Sequence, residues 1–231
     1  MNGVSICILT YNVFFYNRLA IDQIRKNTRV VDYEILVYDN GSTDGSREWL
    51  EAQPDVTVFR GEGNGARHGM ALDFLTRRAK YPICCTLCSD AFPTSPEWLT
   101  PAMYLDDKVF LTGTFRGGRI CDYICPSYLF GWTEYLKRRT FVDQWPQWDT
   151  GELLAKQCQD AGLAVKSWMP QKADFQGRFR DDKMCDYNGW VWHTWWSGRK
   201  QTIPSLTDVE FESEYHDYVK DMLRKRYSLD Y

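Results

Sequence analysis

Three short polar steps carry the side chains best placed for chemistry: Thr10-Tyr11-Asn12, Asp39-Asn40 and Ser89-Asp90, each following an apolar run. Hydroxyls and amides of this kind can hydrogen-bond a nucleotide base and ribose. A carboxylate can hold the divalent cation that a diphosphate requires. A fourth run is followed by Gly61-Glu62-Gly63-Asn64-Gly65, with Arg67 near the start of the next helical stretch. A helix start with a cation beside it suits phosphate. The glycines fall after the third strand-like run and lack dinucleotide spacing, and no G-x-x-x-x-G-K-[ST] sequence occurs. Both facts argue against a kinase and against a nicotinamide-dependent dehydrogenase.

The elements that must position these residues alternate regularly over the first hundred positions. Strands are expected at Val4–Thr10, Glu34–Tyr38, Val56–Arg60 and Tyr81–Leu87, with helices at Leu19–Lys26, Ser46–Ala52 and Ala66–Ala79. Repeated strand–helix–strand units give an α/β fold: a doubly wound, mostly parallel sheet with helices on both faces. In such a sheet ligands bind beyond the carboxyl ends of the strands, where the three polar steps lie. Ser95-Pro96-Glu97 reads as a helix start. Beyond it, a strand at Lys108–Thr114, helices at Tyr128–Arg138 and Thr150–Ala161, a strand at Val165–Met169 and a closing helix at Glu212–Tyr227 are expected. Gly162 stands where a helix commonly stops. With no repeat or linker in the sequence, residues 1–231 read as one domain: a nucleotide-binding half (1–100) and an irregular, aromatic-rich half (101–231). Seven of the ten tryptophans lie between Trp145 and Trp196.

A net charge of −3 gives no general attraction to nucleic acid or to an anionic membrane. No apolar run approaches the roughly 20 residues of a membrane span, and a cytoplasmic protein is expected. Cys85/Cys88 and Cys121/Cys125 have spacings known from zinc sites. On a strand, however, Cys85 and Cys88 point to opposite faces, which favours reduced thiols.

The successive blocks "VSICILTYN", "YEILVYDNGSTDGSREWL", "GNGARHGMALDFL" and "TLCSDAFPTSPEWL" resemble, in order and spacing, those of inverting glycosyltransferase family 2, which has the GT-A fold. The resemblance covers roughly residues 4 to 100. "WDTGELLAKQCQDAGLAVKSWMP" and "VWHTWW" look like the family's later acidic helix start and late histidine. The resemblance implies a nucleotide-sugar donor (a UDP-sugar favoured), with Thr10, Tyr11, Asn12, Asp39, Asn40 and Ser89 around the nucleotide and Arg67 on the diphosphate side. It makes Asp90 and His193 ligands of Mn²⁺ or Mg²⁺, and Asp149 the general base with Glu152 in reserve. Two departures stand out: Leu9 replaces the usual proline before Thr-Tyr-Asn, and Cys88 replaces the first acid of the D-x-D metal motif.

Each assignment has a plainer competitor. Asp149 and Glu152 have the spacing of a helix capping box, and His193 between Trp192 and Thr194 is equally readable as a core histidine. Asp44 reads as a turn cap. Most of Trp145, Trp148, Trp190, Trp192, Trp195 and Trp196 read as core, with one or two left for an acceptor site. A glycan, a lipid-linked sugar, a protein or a modified nucleic acid remains open as acceptor. Arg178, Arg180, Lys183, Arg199 and Lys200 around the aromatic stretch read first as solvated surface. A non-catalytic nucleotide-sugar or glycan-binding module is the second reading, motivated by Cys88. A nucleotidyltransferase is the third, and its glycine-rich basic first loop is absent.

Overall fold

The computed structural model describes residues 2–61, 68–118, 120–141, 149–172 and 185–194, with 217, 219–221 and 223–225 near the C-terminus. β1 (Val4–Thr10), α1 (Phe14–Asn27), β2 (Tyr33–Asp39), α2 (Ser46–Glu51), β3 (Val56–Arg60), α3 (His68–Thr76) and β4 (Ile83–Cys88) follow one another as expected. The four strands are parallel in the order β3-β2-β1-β4. A parallel pair needs a crossover, and α1, α2 and α3 supply it. β1 and β4, inside the sheet, are buried along almost their whole length, whereas the edge strand β3 exposes Thr57 and Arg60.

Alternation along the strands divides the core. Ile6, Ile8, Ile35, Val37, Ile83, Cys85 and Leu87 pack with Ile21 and Ile24 of α1 and with Trp98. Cys7, Leu36 and Cys84 turn the other way, toward Leu72 and Leu75 of α3 and Leu154 and Cys158. Cys85 is therefore a core residue, consistent with the parity of the strand.

After β4 come β5 (Ala91–Pro93), a 3₁₀ helix (Pro96–Tyr104) whose first turn Ser95 caps through the amide of Glu97, and β6 (Val109–Arg116). Next are β7 (Tyr123–Trp132), α4 (Thr133–Leu136), α5 (Glu152–Asp160) and β8 (Ala164–Trp168). β7 runs antiparallel to β4, and β6 antiparallel to β7, completing a seven-stranded sheet β3-β2-β1-β4-β7-β6-β8. Of the expected helix at Tyr128–Arg138, Tyr128–Trp132 is thus strand and only Thr133–Leu136 is helical. The cause is burial on both faces. Tyr128 and Phe130 fill one core and Leu129 the other, so the run is apolar at every position and its period is lost.

A second, antiparallel sheet has the order β5-β11-β10-β9 and contains β9 (Gln171–Lys172), β10 (Cys185–Tyr187) and β11 (Val191–His193). The described residues from 217 to 225 are helical, inside the expected closing helix. Among the described residues no helix is long and apolar enough to cross a membrane.

Candidate functional site

β1 and β2 end in register, Thr10 opposite Asp39, and the two loops that follow are laced together. The Asn40 amide donates to the Thr10 carbonyl at 2.9 Å. Asn12 takes a left-handed backbone (φ 50°) in which its amide donates to Ser42 Oγ at 2.9 Å and its Oδ1 accepts from the Thr43 amide at 2.8 Å. Asparagine tolerates that conformation better than most residues. Thr10 is buried and donates to Asn17 Oδ1, whereas Tyr11 is 40% exposed and faces outward. Asp44 is a cap, as expected: its carboxylate accepts from the first amide of α1, Phe14, and from Ser46.

Asp39 is fully buried. It accepts from the amides of Gly41 and Ser42 and pairs with Arg47 at 2.6 Å. Arg47 was not foreseen from the sequence. It lies in the first turn of α2, and nothing in its spacing shows that it folds back onto the strand end. A buried carboxylate is tolerated when it is paired and hydrogen-bonded, and Arg47 meets that condition here.

Two strands from Asp39, roughly 10 Å at the usual strand spacing, β4 ends with Cys88 opposite Leu9. Ser89 and Asp90, both buried, follow before β5. The second sheet completes this corner. β11 pairs with β5 so that His193 lies opposite Ala91, and Thr194 donates to the Asp90 carbonyl from its amide (3.0 Å) and hydroxyl (3.1 Å). The His193 Nε2 atom lies 3.2 Å from Asp90 Oδ1, with both side chains buried. One donor atom each from Cys88, Asp90 and His193 lies within 4.8 Å of the other two. Ligands of one tetrahedral ion with bonds of about 2.0–2.3 Å lie roughly 3.3–3.8 Å apart, so donors at the outer limit of this group would close by about an ångström on a shared cation. Without one, burial and then the charge of Asp90 push the Cys88 thiol pKa well up.

On its other side His193 is held by Tyr187, whose hydroxyl is 2.7 Å from Nδ1. With the proton on Nδ1, that nitrogen donates to Tyr187 and the Nε2 lone pair is directed to the Asp90 side, the usual supporting arrangement for a metal-binding histidine. Ser127 Oγ lies 3.1 Å from the same hydroxyl and 2.7 Å from Cys125 Sγ. Arg116 then connects Cys125 (3.9 Å) to Asp149 (3.3 Å). A continuous line of polar contacts thus joins Asp90 and His193 to Asp149. Burial opposes the charge of Arg116, but Cys125, Tyr123 and Asp149 together raise its pKa.

Asp149 and Glu152 have separate tasks. Glu152 is fully buried, accepting from the amides of Ile120 (2.5 Å), Cys121 (3.1 Å) and Asp149 (3.0 Å). The capping box read from the sequence is not formed: the N-cap of α5 is Gly151 at φ 93°, which makes Glu152 the first helical residue, and only its bond back to the Asp149 amide is made. A Cβ at Gly151 would lie 2.8 Å from Pro126 Cγ. The Asp149 carboxylate, about a third exposed, accepts from the Tyr123 hydroxyl at 2.7 Å and from the Thr150 amide at 2.8 Å.

Trp192 is core, and Trp190 packs edge-on against Trp168 at 5.7 Å. The zinc spacing of Cys121 and Cys125 leads nowhere: Cys121 contacts Glu152, Cys125 contacts Ser127. Arg67, Trp145, Trp148, Trp195, Trp196 and the basic residues Arg178, Arg180, Lys183, Arg199 and Lys200 lie outside the described residues.

A mostly parallel sheet flanked by helices, with a second small sheet at its carboxyl edge, is a GT-A-like fold. The chain belongs to glycosyl transferase family 2, whose sequence pattern matches residues 5–151. No curated protein matches the sequence. Among solved structures it is similar to a mannosyltransferase from Pyrobaculum calidifontis in complex with GDP-Man and Mn²⁺ (17% identity, TM-score 0.60), covering 76% of this chain and 58% of that one. It is similar also to glucosyl-3-phosphoglycerate synthase from Mycobacterium tuberculosis, in complex with Mn²⁺, UDP and glucosyl-3-phosphoglycerate. There identity is 20% and the TM-score 0.54, with 73% of this chain and 69% of that one covered.

Proposed function

We propose that this chain transfers a sugar from a nucleoside-diphosphate sugar, a UDP-sugar by preference, to an acceptor hydroxyl in a single displacement that inverts the anomeric centre. The observation that carries the reading is the seating of His193 on Asp90 at the end of β4, on the same sheet edge as Asp39. In this reading Asp39, Thr10, Tyr11, Asn12 and Asn40 surround the base and ribose, Ser89 adjoins the phosphates, and Arg67 serves the diphosphate side. Asp90 and His193 hold Mn²⁺ or Mg²⁺. When bound, the cation offsets the charge of the departing nucleoside diphosphate. Asp149 accepts the acceptor's proton, with Tyr123 and Arg116 fixing its carboxylate. Glu152, whose oxygens are occupied by backbone amides, positions the Asp149 backbone. The chain acts as one catalytic unit in the cytoplasm, its acceptor a glycan, a lipid-linked sugar, a protein or a modified nucleic acid.

The test is a panel of UDP- and GDP-sugars with and without Mn²⁺, read by release of the nucleoside diphosphate. Release from at least one donor, dependent on the cation, is expected. Tight binding with no release from any donor would convert the reading to a non-catalytic nucleotide-sugar-binding module on the same fold. Asp39→Asn is expected to weaken nucleotide binding by about 10- to 100-fold, the worth of a hydrogen bond to a charged group. The asparagine oxygen still accepts from the Gly41 and Ser42 amides, so the turn is preserved. Unchanged affinity by calorimetry would remove Asp39 from the base-binding side.

A further inference from the structure

Resting on the cation site just proposed, we infer that Cys88 is a third protein ligand there and that its thiolate turns the site toward a borderline cation, Zn²⁺ or Co²⁺. As a sequence feature Cys88 is only a missing acid. The fold gives it a position: it is the final residue of β4, two before Asp90, and its sulfur is in the same 4.8 Å group as the Asp90 and His193 donors. Among the described residues this is the one group of three such side chains so arranged.

The donor set has its own chemistry. Mg²⁺ takes oxygen ligands almost exclusively, and thiolate with imidazole is the preference of Zn²⁺ and its substitute Co²⁺. One sulfur, one nitrogen and one carboxylate oxygen also leave a coordination position open, the pattern of a catalytic site in which a diphosphate oxygen can bind. The Tyr187 hydroxyl at His193 Nδ1 supplies the outer support such a ligand needs. The neighbouring thiols are otherwise engaged: Cys125 contacts Ser127 and Arg116, and Cys85 is in the apolar core.

The experiment uses the full chain stripped of metal and titrated with Co²⁺, following the near-ultraviolet thiolate-to-cobalt charge-transfer absorption. Calorimetry with Co²⁺, Zn²⁺ and Mn²⁺ is run alongside, with and without UDP. One equivalent of Co²⁺ is expected to produce the band. Cys88→Ser should lose it and bind Co²⁺ and Zn²⁺ at least about tenfold more weakly, while Cys121→Ser keeps it. Cys88→Asp, which restores a two-carboxylate motif, should bind Co²⁺ without the band and shift the preference to Mn²⁺. A band that is absent, or that survives in Cys88→Ser, overturns the thiolate ligand. If Mn²⁺ still binds with UDP in that event, the transferase reading stands without it. If no cation binds with or without UDP, both fall.

Discussion

Asp90→Ala is expected to reduce cation-dependent sugar transfer by at least about a hundredfold while the protein still folds. The magnitude follows from the several kcal/mol that a bound cation contributes to stabilising a departing diphosphate, at about 1.4 kcal/mol per tenfold. The side chain is fully buried, so the cost to the fold has to be weighed. The backbone carbonyl of residue 90 keeps both bonds from Thr194, and the β5–β11 pairing that holds this corner does not use the carboxylate. What is lost is the partner of His193 Nε2, about 1–3 kcal/mol for a buried polar group left unpaired. For a chain of 231 residues that corresponds to a fall in Tm of roughly 2–12 °C. The two effects are separable by measuring turnover and thermal unfolding on the same sample. A folded Asp90→Ala protein that retained cation-dependent turnover would take Asp90 out of the site.

Asp149→Asn is expected to stop transfer, by about 10²- to 10⁴-fold in kcat, with donor affinity unchanged. Asparagine keeps one oxygen, which can stand in for Oδ2 and accept from Tyr123, while the Thr150 bond to the other oxygen is lost; the loop into α5 is still held by Glu152 on the Asp149 amide. The ion pair with Arg116 is lost, but both partners are about a third exposed and such pairs contribute little to stability. The side-chain oxygens of Glu152 remain on their backbone amides and give no substitute base. Donor affinity measured beside single-turnover transfer gives the decision. A variant that transferred at the original rate would reduce Asp149 to an anchor for Arg116 and Tyr123.

The parallel half was legible because every level of the sequence agreed there. β1 and β3 begin and end where the apolar runs do, and the polar steps at Thr10, Asp39 and Asp90 fall at strand ends as a parallel sheet requires. The second half was harder. The second half of β7, Tyr128–Trp132, was read as the start of a helix because a strand buried on both faces has no alternation to show. No element was assigned to residues 123–127, so the two-residue spacing of Tyr123, Cys125 and Ser127, which lie on one face of β7, went unread. Arg116 and Tyr187 belong to β6 and β10, and their neighbours depend on pairings between strands distant in sequence. His193 was suggested by family resemblance, but its contact with Asp90 comes from the β11–β5 register. Cys88 was noticed for what it lacked. Its membership of a donor group needed the third dimension.

That β11–β5 register has a bearing on biosynthesis. β5 is made about a hundred residues before its partner, since Asp90 and His193 are separated by 103 positions. A nascent chain leaving the ribosome can pair β1 to β4 early, because those crossovers are short, whereas closure of the Asp–His corner must wait for nearly the last strand. Long-range pairing of this kind is slow. An unfinished polypeptide therefore lacks the Asp90–His193 contact, and in the reading proposed above a chain stalled before residue 191 has no completed cation site.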